Sequence, residues 1–340
     1  MSETKLREEA TSPKSLAPKL GKSPWGGQWG AFLARRLGRL GISIVVLVTV
    51  SFLMIRLIPG DPVRNALGIM ASQDVVEARR EALGLNLPLW EQYLRFWQGL
   101  FTGNLGDSFT LQMPVTTVIG QRLPATLEIA FMALVFMLAC AIPIGMIAAA
   151  LTRGGRRRGL ELGYTGVSGF IAVIPEFLIG VGLIYVFAVQ FHLLPVAGRS
   201  GPDSYILPVL ALSIGGIAGV SRIVRAEALT VLGQDYIRTA RAKRMSSWRI
   251  YMRHALPNLL TSSLTIGGLV LGGLIAGTVL VEFIFSWPGL GMTIVASIKD
   301  KDFPLAQGVI IVYGLMVLLV TLIVDILLVL LDPRSALKEN

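Results

Sequence analysis

The chain is poor in the residues that build disulfides, metal sites and water-facing surfaces. Its 340 residues include a single cysteine, Cys140, and two histidines, His192 and His254. One cysteine cannot form an internal disulfide framework, and so few His and Cys argue against a metal site built on those ligands. Only 15% of the residues are charged, against about 25% in a soluble globular domain. The sequence therefore predicts no metal, no cofactor and too little polar surface for a soluble protein.

Apolar residues, by contrast, make up 53% of the chain and cluster into long runs. A helix needs about 20 predominantly apolar residues to cross a bilayer. Six runs have roughly that length or more, near Leu37–Leu57, Thr126–Leu151, Tyr164–Val189, Ile206–Val224, Leu259–Val281 and Leu305–Leu331. We therefore predict an all-α membrane protein with six transmembrane helices.

The positive charge, +10 overall, is concentrated on one side of the predicted membrane. If the six spans alternate in direction, 22 of the 31 Lys and Arg residues fall on the side that holds both termini. The other nine lie in the opposite loops, where acidic residues largely balance them. Because an excess of Lys and Arg marks the cytoplasmic side, both termini are predicted to be cytoplasmic. The charge is then a topology signal, and it gives no support to nucleic-acid binding.

Residues 1–31 are polar, contain three prolines and lack the short apolar core of a signal peptide. We interpret them as a disordered cytoplasmic tail before the first transmembrane helix, residues 32–57. Within the tail, Gly21-Lys22-Ser23 resembles the end of a nucleotide-binding P-loop. That loop needs a glycine where this chain has Leu16, and no strand is predicted before it. The sequence therefore predicts no ATP site.

Residues 58–124 form a predicted extracytoplasmic segment between the first two spans. Aromatic and apolar residues recur in it every three or four positions between Pro88 and Gly103. That spacing predicts an amphipathic helix with a defined start and stop. Its aromatic face is expected to lie along the outer membrane interface or to cap the helix bundle. Contact with an extracytoplasmic partner is the alternative.

Several residues in or beside the predicted spans are candidates for a translocation pathway. Pro175 interrupts the third span and should kink its helix by removing a backbone donor. Beside it, Glu176 is an ionisable group at mid-membrane, which usually faces a bundle interior or a wet cavity. Pairing with another helix is the structural alternative for this carboxylate.

The fifth span and the stretch after it add further candidates. Glycines in the fifth span permit close helix contact, either inside one subunit or between subunits. The turn formers and aromatics that follow predict a folded-back loop at the mouth of a pathway. The pathway candidates are Pro175, Glu176, Gly272, Gly273, Glu282, Phe285 and Trp287.

The basic loop between the fourth and fifth spans, residues 225–257, is the most informative segment. Asp235 is placed to cap a helix that runs through Arg244, and Ser246 or Ser247 to cap a second one. Pro257 then falls at the start of the fifth span, where a missing N–H does no harm. Two short helices at an angle would offer a surface on which another protein pushes. A helical hairpin that only obeys the positive-inside rule is the alternative, and the spacing leaves both open.

Two stretches of this loop, Arg238-Thr239-Ala240-Arg241-Ala242-Lys243 and His254-Ala255-Leu256-Pro257, resemble the EAA loop of binding-protein-dependent ABC importer permeases. The first is similar to the dipeptide, oligopeptide and nickel branch of that family. Further matches follow in family order: Pro59-Gly60-Asp61-Pro62, Leu83-Gly84-Leu85, Gly103-Asn104-Leu105-Gly106-Asp107-Ser108, Arg122-Leu123-Pro124-Ala125-Thr126, the stretch from Phe285 to Gly291, and Asp332-Pro333-Arg334. The resemblance covers residues 32–335 and implies a type I ABC importer permease fold. Its core is residues 125–335, followed by a C-terminal tail of residues 336–340.

The resemblance also implies partners. In this family the EAA loop contains the coupling helix, which docks into a groove of the cytoplasmic ATPase. The expected partners are a second permease subunit in a heterodimer, two ATP-binding cassette subunits, an extracytoplasmic substrate-binding protein and membrane lipid, in the bacterial cytoplasmic (inner) membrane. ATP hydrolysis would belong to the partners, so this chain would be a non-catalytic transport subunit. The expected coupling residues are Tyr236, Ile237, Arg238, Thr239, Ala240, Arg241, Ala242, Lys243, Arg244, Met245, His254, Leu256 and Pro257.

One residue of the loop departs from the family pattern. The family normally has glycine where this chain has Arg244. A glycine there indicates a turn with positive φ, which costs an ordinary L-residue about 1 kcal/mol or more. Three readings remain open: Arg244 adopts a strained turn, the two helices join differently, or its guanidinium contacts an acidic group of the ATPase.

The cargo suggested by the resemblance is a di- or oligopeptide, because the matched branch mostly carries peptides. Nickel or another small solute is the alternative within the same class. A proton-coupled secondary transporter is the alternative from another class, but it would need more intramembrane carboxylates. An assembly scaffold would not need the broken third span. A membrane enzyme finds no nucleophile–base pair here.

Overall fold

The computed structural model describes residues 24–56, 61–68, 70–82, 84–155 and 157–331. Helices are the regular structure of these ranges, which contain one isolated β-bridge between Asp107 and Pro114 and no β-strand. The helices are α1 (Pro24–Arg56), α2 (Pro62–Leu67), α3 (Gln73–Ala82), α4 (Leu89–Thr102), α5 (Val115–Thr152), α6 (Arg158–Val173), α7 (Glu176–Leu183), α8 (Ile206–Leu232), α9 (Asp235–Ala242), α10 (Ser247–Ile250), α11 (Leu256–Ile284), α12 (Leu290–Lys299) and α13 (Phe303–Leu331). Most of the predicted tail, Pro59-Gly60 and Asp332-Pro333-Arg334 lie outside the described residues.

Four helical segments are long and apolar enough to cross a membrane: Ala34–Met54, Val115–Gly155, Pro202–Leu232 and Phe303–Ile326. A fifth span results if the bent pair Arg158–Val173 and Glu176–Gln190 crosses as one unit. In α11 the apolar part within the described residues is shorter, Val270–Ile284. The all-helical membrane class is therefore confirmed, while the count of six spans stays a prediction.

Several helices extend beyond the predicted spans. Helix α1 begins at Pro24, so the described end of the tail that we predicted to be disordered, residues 24–31, is helical. Helix α5 begins at Val115, inside the segment that we predicted to be extracytoplasmic as far as residue 124, and it accommodates Pro124 in its interior. Helix α8 continues to Leu232, so the basic loop begins as two more turns of helix. Arg225 in those turns donates to Glu161 Oε1 at 2.6 Å, a bond that ties α8 to α6.

The interruption of the third span at Pro175 is confirmed. Helix α6 ends at Val173, α7 begins at Glu176, and the two segments are bent by 94°. Proline cannot donate a backbone hydrogen bond and disfavours helix in the residue before it, here Ile174. Ile174 accordingly has extended angles, φ −69° and ψ 123°. The break follows directly from the local sequence.

The chain divides by its contacts into residues 1–41 and residues 42–340. In the larger unit, α5 and α8 form the most extensive helix pair. Small residues bring their backbones together: a Cβ at Gly145 would lie 2.6 Å from the Ser221 carbonyl oxygen. The Ser213 hydroxyl donates to the Ala133 carbonyl at 3.1 Å. This is the close packing that small residues permit between membrane helices.

The segment between α1 and α5 has helical structure of its own. Asp61 caps α2, accepting from the Val63 N–H at 3.0 Å, and its other oxygen accepts from Arg80 on α3 at 2.6 Å. The amphipathic helix predicted between Pro88 and Gly103 is confirmed as α4. At the far end of the segment, Asp302 accepts from the Thr110 N–H at 3.0 Å and from the Ser108 hydroxyl. These bonds fix the segment to the start of α13.

Candidate functional site

Helix α9 of the basic loop has one buried and one exposed face. Ile237 and Ala240 point inward and join a core cluster that includes Val231 and Leu232 at the end of α8. Ile250 of α10 belongs to the same cluster. The two short helices are therefore anchored to the core by buried side chains, and both predicted alternatives for the loop stay predictions.

The start of α9 corrects the predicted cap. Gln234, with φ −67° and ψ 153°, occupies the cap position, and Asp235 lies in the first helical turn. An acid in the first turn still stabilises the positive end of the helix dipole. In α10 Ser246 takes the cap position, although no side-chain capping bond forms from it. The predicted helix through Arg244 is also too long, since α9 ends at Ala242.

The end of α9 explains the position of Arg244. Its φ is +54°, in the left-handed region that favours glycine. The Arg244 N–H donates to the Arg241 carbonyl at 2.8 Å, and the Met245 N–H donates to the Ala240 carbonyl at 3.3 Å. This pair of bonds is a Schellman motif, whose left-handed position is usually glycine. The strained turn is thus the reading that the backbone supports, and the helices do not join differently.

The exposed face of the loop is strongly basic. Its exposed side chains, among the predicted coupling residues, are Tyr236, Arg238, Thr239, Arg241, Ala242, Lys243, Arg244 and Pro257. Ile237 and Ala240 are buried, and Met245, His254 and Leu256 are partly buried. The predicted residues therefore fall into an outward set that a partner can contact and an inward set that holds the helix in place.

Two apolar side chains on this surface were missed by sequence reasoning. Trp248 is 72% exposed and Met252 is 37% exposed, both close in sequence to the basic turn. Large exposed apolar side chains beside charge are typical of protein contact sites, where Trp and Arg carry much of the binding energy. The available signal was a tryptophan inside a polar loop, two residues after the cap of α10.

The loop is joined to α11 without a break. α10 is followed by a π-turn, Tyr251–Ala255, and then by α11, so helix runs continuously from Ser247 to Ile284. Pro257, at the second position of α11, has no N–H for the usual bond one turn back. The wider turn lies directly before it, and such local π adjustments re-satisfy the backbone groups that a proline leaves free in a membrane helix. A contiguous helix thus links the basic loop to the opposite end of α11.

At that opposite end, Glu282 holds the next helix in place. The carboxylate is fully buried, and its Oε2 accepts from the N–H groups of Gly291 at 2.6 Å and Met292 at 3.3 Å. The Thr126 hydroxyl of α5 accepts from the Leu290 N–H at 2.8 Å. These three N–H groups open α12 and have no partner within their own helix. Glu282 and Thr126 therefore cap α12 in place of a side chain at Gly289.

The chain between α11 and α12 folds back, as predicted, and its aromatics are buried. Trp287 donates from Nε1 to the Ala125 carbonyl at 3.0 Å, and its ring meets Tyr205 edge to face at 4.6 Å. Phe285 packs against Gly180 of α7. Arg199 lies over Trp287 and pairs with Glu128 at 2.6 Å. In this conformation the two aromatics shape the loop from inside, and their role at a pathway stays a prediction.

The remaining pathway candidates divide between a packed face and an open face of α11. Glu176 is exposed in this chain, with its Oε1 3.6 Å from where a Cβ on Gly277 would lie. One turn away, Gly273 has no neighbour within 4 Å of such a Cβ, while Gly272 faces Val317 of α13. The structure thus brings Glu176 to the open side of α11 and places Gly272 in packing within the chain.

Two family models match the chain. The binding-protein-dependent transport system inner membrane component matches residues 141–336, and the N-terminal model of the same membrane component matches residues 30–130. The first match includes the whole basic loop and α11. The second ends in α5 and includes the segment with α2, α3 and α4.

The chain is also similar to named relatives and to solved structures. It is 36% identical over 311 residues to the dipeptide transport system permease protein DppB of Lactococcus lactis subsp. cremoris, covering 90% of this chain and 99% of the relative. It is 35% identical over 308 residues to the glutathione transport system permease protein GsiC of Pectobacterium atrosepticum, with the same coverage. An inward-facing MetNI methionine ABC transporter superposes with a TM-score of 0.54 at 17% identity, over 63% of this chain and 96% of that one.

The structural likeness supports the type I ABC importer permease fold predicted from the loop motif. The sequence matches are strong enough to decide membership. The chain belongs to the binding-protein-dependent ABC importer permeases, as a multi-pass inner-membrane component of such a transport system.

Proposed function

We propose that this chain forms half of the translocation pathway of an ATP-driven importer and that α9 and α10 couple it to the ATPase. The observation that carries the proposal is the exposed basic surface of α9, fixed from behind by buried Ile237 and Ala240. A surface that transmits force must be held rigidly, and these two residues join it to the core of the permease. A loop that served only to orient the chain would not need this inner face.

The continuous helix from Ser247 to Ile284 is the proposed lever. A push on α10 moves α11 as a body, and the capping bonds of Glu282 carry that movement to α12 at the other end. Thr126 bonds the same N-terminus to α5. The proposed coupling helices are therefore connected to the folded-back loop by one continuous helix and by the hydrogen bonds that cap α12.

The proposed assembly contains two permease subunits, this chain and a paralogue, with two ATP-binding cassette subunits and an extracytoplasmic substrate-binding protein. ATP binding would draw the coupling surfaces together and hydrolysis would release them, giving alternating access. The chemistry of hydrolysis belongs to the cassette subunits, and this chain is non-catalytic. Within the residues that the structure describes there is no cluster of three or more metal-ligating side chains.

The proposed topology places residues 1–31, the basic loop and residues 336–340 in the cytoplasm, with six spans and residues 58–124 outside. The distribution of Lys and Arg supports it. The open side of α11 beside Gly273 and Glu176 is the proposed wall of the pathway, facing the second subunit.

The proposed cargo is a di- or oligopeptide. Relatives named for dipeptide and glutathione transport support this choice. Peptides vary in their side chains, so a pathway for them should be wide and bind weakly. The exposed carboxylate of Glu176 offers a transient partner to a peptide amino terminus, which is charged at neutral pH.

The coupling proposal is tested by capture of the ATPase and by uptake in the same strain. We expect the double substitution Arg238→Glu with Arg241→Glu to abolish capture of the cassette subunit and peptide uptake, because it reverses charge on the exposed face. Lys299→Glu, a single exposed charge at the end of α12, is the control and should leave capture unchanged. Wild-type capture and uptake in the double variant would contradict the proposal.

The cargo proposal needs a separate experiment. A deletion strain should lose growth on di- and oligopeptides as sole amino-acid source while keeping its nickel-dependent enzyme activity. Normal growth on peptides with loss of nickel-dependent activity would favour the nickel alternative. Neither outcome affects the test of coupling, because capture of the ATPase does not depend on the identity of the cargo.

A further inference from the structure

The apolar face of helix α4 has two parts, which Trp97 joins by ring contacts with Tyr93 at 6.3 Å and Phe101 at 5.7 Å. One packs on α1: the Tyr93 hydroxyl lies 2.7 Å from the Thr49 hydroxyl, and Phe52 of α1 meets the rings of Tyr93 and Phe96 at 5.1 and 5.9 Å. The other part is largely uncovered in the described chain, and only Phe101 has a ring contact there, with Trp97 of the same helix. Its members are Trp90, Leu94 and Phe101, which are 65%, 57% and 83% exposed. The single aromatic face expected from the sequence is therefore present, and α1 covers only a part of it.

The geometry of the helix separates the exposed apolar surface from a polar one. At about 100° per residue, Trp90, Leu94 and Phe101 fall within an arc of about 40°. Glu91 and Arg95 fall on a different side, where they form an exposed ion pair at 3.1 Å. The helix therefore presents α1 with one sector, and two further sectors, one apolar and one charged, to its surroundings.

The contacts with α1 fix the depth of α4. The apolar span of α1 runs from Ala34 to Met54. Thr49 and Phe52 precede its end by about 7 and 3 Å at 1.5 Å per residue. A helix packed on those two side chains lies at the edge of the apolar layer. Its exposed side chains then lie at the level of the lipid headgroups and the first part of the acyl chains.

We propose that α4 is an interfacial helix whose surface of Trp90, Leu94 and Phe101 inserts into the outer leaflet and binds lipid. Tryptophan favours this level of a bilayer, and an amphipathic helix buries its apolar face to about 5–10 Å there. Near the same end of α1, Val50 and Leu53 are also apolar and exposed, at 53% and 51%. The choice of the outer leaflet rests on the proposed topology, whereas insertion at a membrane interface rests only on the contacts between α4 and α1.

Lipid fits this surface better than the substrate-binding protein does. The charged sector is centred about 100° around the helix from the apolar sector. It therefore stays in contact with water when the apolar sector is in the bilayer, and a soluble partner that approaches from outside meets it first. An anchor here would hold the end of α1 at a fixed depth while the cytoplasmic loop moves. The proposed ligand is therefore membrane lipid, bound at the boundary between the headgroups and the acyl chains.

The test uses spin labels at neighbouring positions of the full chain in nanodiscs. On a Cys140→Ser background, which removes the only native cysteine, Leu94→Cys reports on the apolar sector and Arg95→Cys on the polar one. Collision with oxygen, which dissolves in lipid, is compared with collision with a water-soluble nickel chelate. We expect the oxygen-to-chelate ratio to be several-fold higher at position 94 than at 95, with or without the binding protein. Phe101→Cys is the second probe if Leu94→Cys does not fold.

Two results would overturn the inference. Equal, chelate-dominated collision at 94 and 95 would place both sectors in water. A label at 94 that is in water alone and becomes shielded only when the binding protein is added would make the surface a protein-docking site. Neither result depends on ATPase capture or uptake, so failure here is distinguishable from failure of the proposed function.

Discussion

Replacing Arg244 with glycine should strengthen the turn between the two coupling helices. Arg244 has φ +54° and donates to the Arg241 carbonyl, while the Met245 N–H closes the motif on Ala240. Glycine adopts that backbone conformation without steric cost. The side chain of Arg244 is exposed, so the substitution removes no buried packing.

The size of the effect follows from two opposing contributions. A left-handed conformation costs an L-residue roughly 1–2 kcal/mol. The greater freedom of glycine in the open chain takes back about 0.4–1 kcal/mol. The substitution should therefore stabilise the closed turn by about 0.5–1 kcal/mol relative to the open one. This lowers the equilibrium constant for local opening by a factor of about two to five.

Hydrogen exchange measures this opening directly. In the assembled complex, the amides of Arg244 and Met245 should exchange about two to five times more slowly in Arg244→Gly than in wild type. Arg244→Ala is the matched control: it removes the same guanidinium but keeps the left-handed cost, so its exchange should stay near the wild-type rate. Capture of the ATPase should be intact in both variants.

Two outcomes would refute this reasoning. Unchanged or faster exchange in Arg244→Gly would mean that the left-handed turn does not limit opening. Loss of ATPase capture in both variants, with the turn intact, would show that the guanidinium itself contacts the partner. That second outcome would restore the third reading of Arg244, an acidic contact on the ATPase.

Three further substitutions test other parts of the account. Trp248→Ala should weaken ATPase binding by about 2 kcal/mol, roughly thirtyfold in Kd. The control variant Trp248→Phe should keep most of the affinity. Equal titration curves for the wild type and both variants would exclude Trp248 from the interface. Glu282→Leu leaves the buried Gly291 N–H and the partly buried Met292 N–H without an acceptor, and the buried one alone should cost about 1–3 kcal/mol. Thermal unfolding in detergent should therefore occur well below that of Glu282→Gln, and matching midpoints would contradict the capping role. Gly145→Ala places a Cβ 2.6 Å from the Ser221 carbonyl oxygen and should lower the free energy of unfolding by about 1–3 kcal/mol. The control is Gly219→Ala on α8, where a Cβ has no neighbour within 4 Å. This control should unfold at or above the wild-type temperature.

The features that depend on neighbouring residues were readable from the sequence. Pro175 breaks the third span because its missing donor acts locally, and the periodicity of α4 follows from its own residues. The departure at Arg244 pointed to positive φ because glycine and left-handed backbone go together. In each case the cause and its effect lie within a few positions of each other in the chain.

Two of the missed features depend on residues far apart in sequence, and the third, the cap of α9, depends on adjacent residues. Thr126 and Glu282 meet at the start of α12 only after α5 and α11 have packed, and no periodicity in either helix indicates that they will. Which part of the α4 aromatic face is covered depends on Phe52, which the helix meets in three dimensions. Asp235 was misplaced as a cap because Gln234, a less common cap residue, takes the extended conformation instead.

The most direct test of the account is photo-crosslinking from the coupling surface in native membranes. A benzophenone amino acid at position 248, on the exposed side of the loop, should yield an adduct with an ATP-binding cassette subunit, and the yield should change when ATP is trapped. The same probe at position 101, on the exposed apolar surface of α4, should yield none. An absent cassette adduct at position 248, or an equal one at both positions, would contradict the claim that this loop couples the permease to its ATPase.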